Sequence, residues 1–142
     1  MRKTIDFKGE YRTYENCNIN VGSYSYDPLC LYVRLDSPTE GSIAPITVNL
    51  GHDIGNESLI RENQAFIDAN NCPEAIAWLE ENDLAKPVTR FGEPVIAYSG
   101  WCEYPLYEFD YAKLREFDPA GWDEHVRLYM ANWKKILEEM FG

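Results

Sequence analysis

The first third of the chain alternates apolar and polar residues in short runs broken by turn chemistry, the pattern of half-buried strands. Thr4 to Phe7 forms one run, and Gly9 turns the chain into a second, Tyr11 to Ile19. Leu29 to Leu35 (Leu-Cys-Leu-Tyr-Val-Arg-Leu) carries the strongest strand signal, bounded by Asp27-Pro28 before it and Asp36-Ser37-Pro38 after it. Ser37 to Ser42 has the composition of a hairpin loop, and Ile43 to Leu50 returns as the next strand. Pro45 cannot donate to a sheet ladder, which places it near the strand start or on an edge. The pattern predicts an antiparallel meander.

Gly51 to Asn63 reads as a polar loop, and Ala65 to Ala69 as one more short strand. Asn70-Asn71-Cys72-Pro73 opens a helix, with Pro73 suited to the first helical position and an Asn or Cys72 to the cap. Glu74 suits the positive end of that helix's dipole. Ile76 and Leu79 mark its buried face, and Asn82-Asp83 with Pro87 ends it. Val88 to Phe91, Pro94 to Tyr98 and Glu103 to Phe109 look extended.

The clearest element comes last. Asp118-Pro119 is a cap followed by a first-turn proline, after which Trp122, Val126, Tyr129, Met130, Trp133, Ile136, Leu137 and Met140 recur at spacings of three and four. This stripe predicts a long amphipathic helix packed across the sheet, with charges on its outer face. His125, among Asp123, Glu124 and Arg127, is expected on that outer face. A stripe this broad could also serve a partner or a second copy of the chain. These elements define a single α+β domain over residues 1–142: an antiparallel sheet, a short central helix, and a C-terminal helix at about 119–140 packed on the sheet.

Charge changes the picture. The chain carries a net charge of −11. Most of it falls between residues 51 and 83, where Asp53, Glu57, Glu62, Asp68, Glu74, Glu80, Glu81 and Asp83 face a single base, Arg61. Such a segment repels nucleic acid and acidic membranes and attracts basic proteins through its field. The eight acids are therefore the candidate partner-binding residues. Acidity serving only solubility is the simpler alternative. Direct nucleic-acid binding would need a basic stripe, whereas the main basic cluster is Lys134-Lys135. No apolar run approaches membrane-spanning length and no signal-type core is present, so a cytoplasmic protein is expected. Cys17, Cys30, Cys72 and Cys102 show no C-x-x-C pairing and read as reduced thiols. Asn56-Glu57-Ser58 matches a glycosylation acceptor that has no meaning in a cytosolic chain.

Candidate chemistry is sparse. His52 and His125 belong to no H-x-x-x-H or H-E-x-x-H spacing, so zinc hydrolysis has no support. Gly51 to Gly55 lacks a phosphate-loop lysine. Cys102, after the Ser99-Gly100-Trp101 turn, could be activated by a histidine such as His52; aromatic packing around a buried thiol is the commoner arrangement. The expectation is a protein without catalysis, cofactor or metal.

Gly100-Trp101-Cys102-Glu103-Tyr104-Pro105-Leu106-Tyr107-Glu108-Phe109 is the most distinctive segment. Alternation would bury Trp101, Pro105, Tyr107 and Phe109 on one side, or Tyr104 and Leu106 on the other; large groups on both faces suggest a strand covered on both sides. Together with Thr47-Val48-Asn49-Leu50, Ala65 to Asn71, and Glu81 to Pro87, this segment resembles domain-of-unknown-function family 4313 over roughly residues 1 to 111. The resemblance implies a small acidic protein of plasmids, conjugative elements or phages of gut anaerobes, a setting in which inhibitors of host defence nucleases, anti-CRISPR proteins among them, are a recognised class. The resulting expectation is a non-catalytic protein that binds and modulates a basic partner, with a defence nuclease as one candidate. The alternatives are a small enzyme or ligand binder using Cys102 and His52, and a structural or oligomeric accessory protein held together by its aromatic helix.

Overall fold

The computed structural model describes residues 2–25, 27–50 and 60–141. Its two longest strands, β2 (Thr13–Tyr24) and β3 (Asp27–Ser37), show the period of two: Cys17, Ile19 and Val21 on the first, and Leu31, Val33 and Leu35 on the second, are buried. Val21 stands opposite Val33 and Ile19 opposite Leu35, so the two rows form one apolar face. β1 (Ile5–Lys8) adds to one edge and β4 (Gly41–Pro45) to the other, giving the antiparallel meander β1-β2-β3-β4. Pro45 ends the edge strand β4, where no ladder donor is missed. The strand expected to stop at Ile19 runs on through Gly22, because pairing with β3 continues to Tyr24.

The run Ile43 to Leu50 is not one strand. It breaks at Ile46, after which β5 (Thr47–Val48) belongs to a second sheet. The Ile46 amide donates to Val33 O of the first sheet at 2.8 Å, and its carbonyl accepts from Asp68 N, beside the second, at 2.9 Å. The second sheet has the order β10-β11-β6-β5, from β6 (Gln64–Ile67), β10 (Ile96–Ser99) and β11 (Cys102–Phe109), all antiparallel. β7 (Ala85–Pro87) also pairs with β11, end to end with β10 on the side away from β6. Between β7 and β10 the chain leaves the sheet as a two-stranded hairpin, β8 (Thr89–Arg90) with β9 (Glu93–Pro94). Phe91 sits at its tip, fully exposed and at a positive φ of 55°.

Helix α1 (Ala75–Glu81) buries Ala75, Trp78 and Leu79. It opens later than expected: Pro73 lies in the preceding turn, and Glu74 is the N-cap without a side-chain capping bond. Trp78 anchors the helix to β1, with its ring edge-on to Phe7 at 5.2 Å and its Nε1 donating to Asp6 O at 2.9 Å. The sequence pattern does not predict helix α2 (Tyr111–Phe117). Asp110 caps it by accepting from Lys113 N at 3.1 Å, and only Leu114 and Phe117 are buried, too few positions for a visible period.

Helix α3 (Pro119–Phe141) packs on the first sheet as expected, but only through its first half. Trp122 and His125 are buried, whereas Met130, Leu137, Met140 and Phe141 are exposed. The stripe of three-and-four spacings therefore does not all face the core: the sheet ends before the helix does. His125, expected outside, is fully enclosed. It falls three residues after Trp122 and four before Tyr129, in the centre of the stripe, despite its charged neighbours.

Candidate partner-binding face

The acidic segment is dispersed by the fold. Asp53, Glu57 and His52 lie outside the described residues. Asp68 is buried, with both carboxylate oxygens accepting from Asn71 Nδ2, so it stabilises the turn before α1 and offers no surface charge. Glu74 is half-buried at the start of α1, beside the Cys72 thiol at 3.8 Å. Burial and that carboxylate push Cys72 up to about 11, the range of an inert thiol. Glu62 is half-buried, and its carbonyl is tied to α3.

Glu80, Glu81 and Asp83 remain together and exposed at the C-terminal end of α1, where the helix dipole adds to their negative potential. The buried Tyr107 hydroxyl donates to Glu80 Oε2 at 3.2 Å, fixing one of these carboxylates on a rigid strand. Desolvation, and secondarily Glu80, push the Tyr107 phenol up to about 12, so it remains a donor at neutral pH.

Two acids absent from the sequence-based set join this end. Pairing of β11 with β7 sets Glu108 opposite Lys86, and the Asp110 amide donates to Leu84 O at 2.8 Å. Asp83, Glu108 and Asp110 consequently border one open groove of about 640 Å³, floored by Leu84, Ala85 and Phe109, with the exposed Tyr111 at its side. Arg61 and Lys86 also line it. Lys86 Nζ is 3.8 Å from Glu108 Oε2 on a mostly exposed side chain, a weak pair that another cation could displace. Glu108 and Asp110 escaped sequence reading because they lie some 25 residues from Asp83, and strand pairing alone brings them together.

Of the catalytic candidates, only Cys102 and His125 fall among the described residues, and they share no contact. Cys102 is half-buried where the β10–β11 hairpin enters β11, near the Tyr104 hydroxyl. His125 has both ring nitrogens engaged elsewhere: Nε2 donates to Glu62 O at 2.8 Å, which leaves Nδ1 to accept the Ser23 hydroxyl at 2.6 Å. A serine hydroxyl on a neutral imidazole is the contact a nucleophile needs, but full enclosure of His125 between Trp122 and Tyr129 bars a substrate. The contact instead clamps β2, α3 and the segment before β6. Among the described residues, no group of His, Cys, Asp or Glu side chains could hold a metal ion, and no helix is long and apolar enough to cross a membrane. Trp101, expected in a buried row of β11, lies in the hairpin turn and is fully exposed, whereas Leu106, Tyr107 and Phe109 are buried as large groups on both faces of one strand.

The chain is thus a small acidic α+β protein of two linked antiparallel sheets with α3 across the first. It belongs to the domain-of-unknown-function family DUF4313, whose pattern matches residues 18–133. No curated protein and no solved structure matches it.

Proposed function

We propose that this protein acts without catalysis, by docking its acidic groove on a basic surface of a protein partner and modulating that partner. The observation that carries this reading is the convergence of Asp83, Glu108 and Asp110 around an apolar floor beside the Tyr111 ring. A guanidinium entering the groove would meet carboxylates in charge-assisted hydrogen bonds, a ring face suited to cation–π contact, and apolar surface for its methylene stem. Glu80 and Glu81 extend the field past the groove mouth. Carboxylates held on strands and helix ends can occupy a basic cleft in place of phosphates, so the partner we propose is a nucleic-acid enzyme, such as a nuclease of a bacterial defence system met in the cytoplasm. The mobile-element setting implied by the family resemblance makes an anti-defence inhibitor the corresponding biological role.

The test is binding to a panel of basic nucleases, RNA-guided ones included, at low and high salt. The field of exposed charges reaches only about 8 Å at physiological ionic strength, so association should slow steeply as salt rises. Substituting Glu80→Gln, Glu81→Gln and Asp83→Asn together should weaken binding while leaving the melting temperature unchanged; Glu138→Gln with Glu139→Gln, on α3, should not weaken it. Binding insensitive to salt and to the first set would assign the charge to solubility.

A further inference from the structure

β10 (Ile96–Ser99) is an edge strand of the second sheet, and the ladder fixes which of its backbone groups face outward. Leu106 N donates to Val95 O at 2.9 Å, and the register sets Ile96 opposite Pro105 and Ala97 opposite Tyr104. Bonded and non-bonded pairs alternate along an antiparallel ladder, so Ala97 and Ser99 aim their amides and carbonyls at β11. Ile96 and Tyr98 aim theirs away from the sheet, and among the described residues no hydrogen bond meets them. The other described edges are blunted in ways that discourage strand addition. β1 carries a register shift and Lys8, and its Asp6 carbonyl accepts from Trp78. β4 meets a register shift and ends at Pro45, β7 contains Lys86 and Pro87, and β5 has only two residues. β10 has no lysine, no proline and no register shift. Exposed rings flank it instead: Phe91 on the hairpin before it, Trp101 in the turn after it, and Tyr98 on the strand itself.

We propose that β10 is a docking edge, extended by a strand of a partner protein in which basic and apolar residues alternate. The occupant is extended polypeptide, because a strand presents amides and carbonyls at the two-residue repeat of Ile96 and Tyr98. A residue opposite Tyr98 shares a face with the Tyr98 ring and with Glu103, which lies opposite Tyr98 on β11. Glu103 is exposed, and among the described residues no cation pairs with it. A lysine or arginine at that position lays its stem along the ring and turns its charge toward Glu103. The next residue of the added strand stands beside Ala97, whose small side chain leaves room for a branched apolar one. A second copy of β10 would supply no cation for Glu103 and would bring a second net charge of −11, so charge favours a basic strand over self-pairing. The acidic groove borders the β7 end of β11, so the two contacts are independent.

The probe is a short capped peptide of alternating lysine and valine, titrated into the full chain while amide hydrogen exchange is followed by NMR. The Ile96 and Tyr98 amides should exchange rapidly in the free protein, and saturating peptide should protect both. N-methylation of the lysines removes the donors that reach Ile96 O and Tyr98 O and should weaken binding at least about tenfold. N-methylation of the valines, whose amides face solvent, should change it less than about threefold. A glutamate–valine peptide should bind at least about tenfold more weakly than the lysine peptide. Tyr98→Pro removes an outward amide and no bond to β11, so it should abolish protection at Ile96 and keep the melting temperature. Should that variant unfold, the methylated peptides decide the outcome. The proposal is overturned by protection absent from Ile96 and Tyr98 or confined to the acidic groove, by equal losses from the two methylated peptides, by an equally tight glutamate peptide, or by a folded Tyr98→Pro protein that binds as the wild type does. Slow exchange at Ile96 and Tyr98 in a peptide-free dimer would also overturn it, by placing a second copy on the edge.

Discussion

Gly121, in the first turn of α3, lies against the carbonyl oxygen of Val21 so closely that the position of a Cβ is already occupied, both by that oxygen and by the Asp118 carboxylate. The approach has a purpose visible in the bonds around it. Asp118 Oδ1 accepts from Gly121 N at 3.1 Å, capping the helix, and its Oδ2 accepts from Val21 N at 2.9 Å. One carboxylate thus holds a helix start and a strand together, and glycine is the residue that lets the backbones meet.

Gly121→Ala should therefore destabilise strongly. The clash involves a backbone atom that cannot rotate away, so the expected loss is about 3 kcal/mol, at the upper end of overpacking costs. Chemical denaturation monitored by circular dichroism measures it, and a loss under about 1 kcal/mol would mean that α3 is not seated on β2 as described.

Trp122→Ala and Trp133→Ala should separate. Trp122 is 6% exposed and stacks with Tyr111, so truncation should cost about 3–5 kcal/mol. Trp133 stands where the helix leaves the sheet, and its loss should cost about 1 kcal/mol in the isolated domain. Equal losses in melting temperature would place the second half of α3 in the core.

Burial lowers the pKa of His125 below its ordinary 6.5, outweighing the upward pull of the Glu62 carbonyl and carboxylate. The unfolded chain therefore takes up a proton at this site before the folded protein does. The stability contribution is complete above about pH 6.5 and is lost as pH falls from there toward the lower folded-state value. The slope cannot exceed about 1.4 kcal/mol per pH unit for one proton. Denaturation midpoints between pH 7 and pH 5 should fall for the wild type and flatten for His125→Gln, whose amide can still donate to Glu62 O.

Phe91→Gly should be neutral or stabilising by up to about 1 kcal/mol. A bulky side chain at positive φ is strained, and this one, at the tip of the β8–β9 hairpin, gains no burial in return. A higher melting point with a weakened partner interaction would assign the exposed ring to recognition; a clear loss of stability would mean that it packs against the protein.

Legibility tracked the range of the forces involved. Leu29 to Leu35 and the capped start of α3 could be read because alternation and capping are local. The break at Ile46 could not, since it depends on the separate demands of Val33 and Asp68 on one residue. The phase of α3 is readable in its spacing, and the charged neighbours of His125 mask a position that its spacing from Trp122 and Tyr129 places on the buried face. How far the helix stays covered depends on where the sheet stops, which no residue of the helix encodes. The candidate groove was half-legible: Asp83 stands in the acidic run, but Glu108 and Asp110 arrive through strand pairing.

The position of Ile46 constrains how the molecule can come apart. Its amide and carbonyl are engaged on opposite sides by the two sheets, and its side chain is fully enclosed. Neither sheet can peel away by fraying from an edge, because release of one leaves a buried peptide group unpaired at the seam. Amide hydrogen exchange at Ile46 and Asp68 should consequently proceed only through opening of the whole domain, at the rate of the slowest exchanging amides of β2 and β3.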